Sequence, residues 1–174
     1  MKKFTCGFVL LLIAAAAVAA QSKSGRLGRL STTLQETISR DIPGWTHRSI
    51  EPMEGSTKII VEQWEAGNVI IKMSLVDHVD EAKAIAALDD FRSSLKIQEE
   101  AAKSRKGLPL HLIKDEVPSL GDGGFIWEFR GSDSTVFRKG SLLVFVNFFG
   151  PWDYQDKALS RLFANCAADV LTAQ

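Results

Sequence analysis

The chain has 174 residues, with 21 Lys and Arg against 21 Asp and Glu, so its formal net charge is zero, and 45% of its residues are hydrophobic. That composition excludes a disordered or fibrous chain and fits one ordinary globular domain. The balanced charge also disfavours a nucleic-acid partner, because phosphate binding draws its affinity from a cationic excess.

The first residues read as a secretory signal peptide. Met1, Lys2 and Lys3 make a basic start, Phe8 to Val18 is almost wholly apolar, and Ala17, Ala19 and Ala20 are small residues of the kind that precede a cleavage site. The apolar run is shorter than the ~20 residues a spanning helix needs, and the polar Gln21 to Ser24 follow it at once. No retained membrane anchor is expected. Cys6 stands ahead of the apolar run rather than after it, which disfavours lipid anchoring. We divide the chain into a signal peptide at 1–20, a flexible mature N-terminus at 21–31 and a single domain at 32–174. Cleavage before Gln21 removes 20 of the 174 residues, Lys2, Lys3 and Cys6 among them, and leaves 154 residues with 19 basic against 21 acidic side chains, a net charge of −2. Cys166 is then the single cysteine, and an intramolecular disulfide is impossible.

In the mature chain, Gly, Ser and isolated bases from Gln21 to Gly28 suit a flexible start. Thr33 with Glu36 fits a capping box, Leu34 and Ile38 lie one turn apart, and Asp41-Ile42-Pro43-Gly44 is a stop signal, so a short helix is predicted over 32–40. Trp45 to Ile50 is a candidate edge strand ended by Pro52. Residues 59–64 and 69–75 alternate with period two around Ala66-Gly67-Asn68, which predicts an antiparallel hairpin. Val79 to about Lys106 carries Ala82, Ile85, Leu88, Phe91 or Arg92, and Leu95 at helical spacing, with Asp77 or Asp80 as its cap and Gly107 and Pro109 beyond its end.

After a linker, Phe125 to Arg130, Thr135 to Arg138 and Leu142 to Phe149 read as a second meander, the last strand apolar on both faces and therefore central. A closing helix over 154–172 places Leu159, Leu162, Phe163, Cys166, Val170 and Leu171 on one stripe. These elements predict an α+β fold, a two-layer sandwich of one antiparallel sheet with both long helices packed on one face.

Local catalytic motifs are missing: there is no G-x-S-x-G elbow, P-loop, H-E-x-x-H, EF-hand run or C-x-x-C, and no cofactor is implied. His47, His78 and His111 are too far apart in sequence for a short zinc motif. Asp77-His78-Val79-Asp80-Glu81 is the densest polar run. It offers metal-ligand and acid/base types, with Asp77, His78, Asp80 and Glu81 as the candidates, but it opens a helix, where acids also satisfy free N–H groups and the positive helix end. Leu120-Gly121-Asp122-Gly123-Gly124 precedes a strand, whereas phosphate-cradling loops precede a helix, so it reads as a turn. Phe148, Phe149 and Trp152 surround the break after the last strand. Neighbouring strand residues face opposite ways, so Phe148 and Phe149 do not share a core, and one of the group is a candidate contact surface.

Val117-Pro118-Ser119-Leu120-Gly121-Asp122, Phe125-Ile126-Trp127 and Val136-Phe137-Arg138-Lys139-Gly140 ahead of Leu143-Val144-Phe145-Val146 resemble a pattern in exported bacterial proteins of unassigned function. In those a Leu-Gly-Asp turn leads into a strand and an Arg-Lys-Gly turn precedes a valine-rich one. This chain departs from the pattern at Gly123-Gly124 and at Ser141. The resemblance implies an α+β fold and a bacterial cell envelope, and carries over no catalytic residue.

Two functions are consistent with these features. One is a small secreted or periplasmic binding or accessory module with an unknown protein or small-molecule partner. The other is an envelope enzyme whose metal or acid/base site is assembled from the dispersed histidines and the Asp77 to Glu81 acids. For export, Edman sequencing of protein recovered from the host is expected to start at Gln21 or Ala20, and Met1 at the start of envelope-resident protein would contradict it.

Overall fold

The computed structural model describes residues 25–50, 58–78, 80–104, 111–117, 119–129, 132–151 and 158–173. Residues 1–20, read as a signal peptide, and Trp152 lie outside them. Helix α1 (Arg26–Asp41) leads into β1 (Thr46–Ile50), β2 (Ile59–Ala66) and β3 (Val69–Asp77). Helix α2 (Glu81–Lys103) then precedes β4 (His111–Glu116), β5 (Gly124–Phe129), β6 (Ser132–Lys139) and β7 (Leu142–Phe149), and α3 (Leu159–Thr172) closes the chain. The strands form one seven-stranded sheet in the order β1-β2-β3-β7-β6-β5-β4, every neighbouring pair antiparallel. Two meanders therefore meet at β3 and β7, whose register runs from Ile70 opposite Phe149 to Asp77 opposite Leu142.

Alternation along β7 sorts the core into two parts. Leu142, Val144, Val146 and Phe148 face one way, with Ile71, Met73 and Leu75 of β3 and Trp64 of β2, and pack against Leu30, Leu34 and Ile38 of α1 and Phe163, Ala164 and Ala167 of α3. Leu143 and Phe145 face the other way, with Phe125, Trp127 and Val136, and meet Leu88, Phe91 and Leu95 of α2. Phe91 stands at the centre of that second cluster, 5.1 Å from the rings of both Trp127 and Phe145.

The α+β class holds, but the expected placement of both long helices on one face does not. Helix α2, with 23 residues, covers one face, and α1 and α3, with 16 and 14, cover the other. The reason is β7 itself: a strand apolar on both sides exposes a row of side chains unless each side is covered.

Other boundaries also move. Helix α1 begins at Arg26, so residues 26–31 are helical rather than a flexible lead. Leu27 and Leu30 extend the Leu34 and Ile38 stripe by two turns, and this burial outweighs the Gly and Ser content around them. Gly25 occupies the N-cap position, and Thr33 donates to Arg29 O inside the helix, so the anticipated Thr33 and Glu36 capping box does not form. Strand β4 occupies what was read as linker, because His111 to Glu116 lacks clean alternation. The closing helix is described over Leu159–Thr172, and residues 154–157 of its predicted span lie outside the described residues.

Cys166 is half-buried beside the first core cluster. Burial first, then the neighbouring charges of Asp41 and Asp169, push its thiol above the ordinary cysteine range. Because the thiolate is the reactive form, a maleimide at neutral pH is expected to label Cys166 slowly in native protein and faster after denaturation. Equal rates in both states would contradict the placement.

Candidate functional site

The Asp77 to Glu81 run is brought to the end of the sheet where the β6–β7 turn lies, and its three carboxylates are engaged there. Asp80 is the N-cap of α2, its Oδ1 accepting from the Lys83 backbone N–H at 2.8 Å. Asp77 accepts from the Ser141 hydroxyl at 3.1 Å and lies 3.7 Å from Arg26 Nη1. The His78 backbone N–H donates to Ser141 O at 2.9 Å. Glu81 accepts from Arg138 Nη1 at 2.7 Å.

These contacts lead directly into the two glycine-bearing turns. Asp122 Oδ2 accepts from the Gly140 N–H at 2.7 Å, its Oδ1 accepts from Lys139 at 3.1 Å, and its own backbone N–H donates to Arg138 O at 2.7 Å. Arg138 is almost fully buried and also donates to Gly140 O at 3.0 Å. The Leu-Gly-Asp and Arg-Lys-Gly turns are thus two halves of one clasp. Gly121 is required at the contact: its φ is +63°, and an added Cβ would lie 2.2 Å from Arg138 O. The motif spacing is accounted for by this docking.

His47 takes part in a different cluster. It lies on β1 with Nε2 2.7 Å from Glu62 Oε2, and Ser49 donates to the same oxygen at 2.8 Å. Ser31 of α1 donates to Glu62 Oε1. Glu62 itself is 2% exposed. One buried carboxylate thereby joins β1, β2 and α1. Both hydroxyls address the carboxylate rather than the imidazole, which is the arrangement of a structural tie and not of a nucleophile with its base. The sequence reading missed Glu62 because it stands in an alternating strand, where a lone acid is expected to face solvent. The signal available was that Glu62 shares the parity of the apolar Ile60 and Trp64.

His47 and His78 therefore belong to separate sites, and His111 is on β4 at the far edge of the sheet. Among the described residues no group of three or more His, Cys, Asp or Glu is placed to hold a metal ion. His47 and the Asp77 to Glu81 acids are not brought together.

The aromatic pair at the end of β7 divides as strand alternation requires. Phe148 is 8% exposed in the first core cluster, and Phe149 is 49% exposed on the face that carries α2. Helix α2 covers that face over β4 to β7 and takes in only Val76 of β3. Beyond it, cross-strand registers line up three rows: Phe149, Ile70, Glu65 and Thr46; then Asn147, Lys72, Gln63 and Arg48, with Gln63 itself buried; then Ser74, Val61 and Ile50, which continue from Phe145 under Phe91. Among the described residues no helix lies over this half. Lys72 Nζ stands 5.5 Å from the Phe149 ring centre, and Arg48 lies 3.1 Å from Glu65.

In comparisons with known proteins, no family model matches the chain, and neither a curated protein nor a solved structure does.

The clasp makes an acid-limb prediction. The Gly140 N–H first, and then Lys139 and Arg138, hold the Asp122 carboxyl below the ordinary carboxylate range despite partial burial. A depressed native pKa stabilises the fold above the unfolded value of about 4 and loses that contribution as pH falls through the native value. Urea unfolding of Asp122→Asn is expected to show a loss of stability at pH 7 that shrinks as pH falls below about 4. An unchanged difference between wild type and variant down to the lowest accessible pH would contradict it.

Proposed function

We propose that this chain is a small exported binding module of a bacterial cell envelope, and that its contact surface is the half of the sheet face left without a helix, with Phe149 as the apolar anchor. The observation that carries the reading is the exposure of Phe149 on a face whose other half is closed by α2. Aromatic residues on otherwise polar surfaces supply a disproportionate share of interface energy. Here the ring is framed by Ile70 and Lys72 on β3 and by Asn147 on its own strand, a mixture of apolar centre and polar rim. A face that runs from Phe149 across β3, β2 and β1 suits a protein partner better than the concave sites that enclose small molecules. The signal peptide supports export, and the resemblance of the two turns to those of exported bacterial proteins supports the envelope. The binding role is favoured over catalysis because Asp80, Glu81 and His47, three of the groups that would serve chemistry, are tied into a helix cap, an ion pair and the Glu62 cluster.

Substitution of the two phenylalanines tests this directly. Phe149→Ala is expected to leave the melting temperature nearly unchanged and to weaken partner binding by about 2 kcal/mol. Phe148→Ala removes a core ring and is expected to cost about 3 to 5 kcal/mol of stability. Equal destabilisation by both, measured by thermal unfolding, would place Phe149 in the core and remove the contact surface.

A further inference from the structure

The sheet has two edges, and they are built differently. At β4 the register slips between Ile113 and Asp115, α2 runs alongside, and the sequence there is Lys114-Asp115-Glu116. A bulge, charged residues and a covering helix are the means by which sheets discourage the addition of another strand. At β1 the register runs unbroken from Thr46 opposite Glu65 to Ile50 opposite Val61. The strand contains no proline, and among the described residues no other strand pairs along its outer edge.

None of the five residues of β1 is fully buried, and its main ring contact is His47 against Trp64 at 5.0 Å. Polar contacts hold it from both faces. His47 and Ser49 reach Glu62 on one side, and Arg48 reaches Glu65 on the other. A buried carboxylate is a costly way to fix an ordinary edge, since its desolvation must be offset by every donor around it. What the arrangement secures is an extended strand whose outward backbone N–H and C=O groups stay in place.

We propose that β1 is a strand-addition site: a partner protein contributes an extended segment that hydrogen-bonds along the outer edge of Thr46–Ile50 and lengthens the sheet. This rests on the reading of the chain as a binding module, and it specifies the chemistry of the partner. On the face shared with Phe149, the added strand continues the rows that end at Thr46, Arg48 and Ile50. Arg48 is 64% exposed. The residue opposite it is acidic, and the one two positions along, opposite Ile50, is apolar. A second copy of this chain fits less well, because antiparallel pairing of β1 with itself in full register sets Arg48 against its own counterpart.

The test uses the mature protein and a phage-displayed library of short random peptides. Peptides recovered on wild type are expected to carry an acid followed two residues later by an apolar residue, and to slow amide hydrogen exchange at alternate positions of β1 by about tenfold or more. They are expected to bind Arg48→Glu about tenfold more weakly. Exchange in β1 is read on the wild-type protein, so this arm does not depend on how a variant folds. Peptides that lose binding to Phe149→Ala but leave β1 exchange unchanged would overturn strand addition and leave the contact surface standing. Recovery of no peptide would overturn both. Protection of β1 by raised protein concentration alone would overturn the proposed partner in favour of self-association.

Discussion

The double-sided apolar character of β7 is the constraint on which the rest of the structure depends. Leu142, Val144, Val146 and Phe148 on one side, and Leu143 and Phe145 on the other, all need cover. Hydrogen bonding to β3 and β6 places β7 in the middle of the sheet, and covering its two sides requires helices above and below. Helices α1 and α3 together close one side over most of the sheet. Helix α2 alone closes the other, and a single helix spans only part of a seven-stranded sheet. That mismatch in width accounts for the part of the face beside Phe149 over which, among the described residues, no helix lies.

The polar contacts serve this arrangement at its margins. The clasp between the turns at Gly121-Asp122 and Lys139-Gly140 fixes β5 against the β6–β7 turn, and Glu81 adds the first turn of α2 through Arg138. Buried Arg138 is acceptable there because Glu81, Asp122 and the Gly140 carbonyl surround its guanidinium. At the opposite margin Glu62 joins β1 and α1 to β2. Each network ties a sheet element to a helix, and each uses charged groups where the apolar core has ended.

Much of this was legible in the sequence. The hairpin at Gly67, the alternation in β2 and β3, the amphipathic stripe of α2 and the central position of β7 all follow from spacing, because local periodicity reports burial directly. Asp80 was readable as a cap, and the opposite fates of Phe148 and Phe149 follow from strand geometry alone. The placement of the helices was legible too, but only if the two apolar faces of β7 were carried through to their consequence. Long-range polar pairs were not legible. Nothing local marks Glu62 as the partner of His47, fifteen residues away, or Glu81 as the partner of Arg138, fifty-seven away. Strand β4 escaped because Lys114, Asp115 and the bulge beside them break the alternation by which strands are recognised.

The central claim is that β7 is covered on its two sides by different helices, and nuclear Overhauser contacts between aromatic rings test it most directly. The account predicts contacts from Phe91 of α2 to Phe145 and Trp127, and from Phe163 of α3 to Trp45 and Trp64, with none between Phe91 and Phe163. A Phe91 to Phe163 contact would place both helices on one face and contradict it.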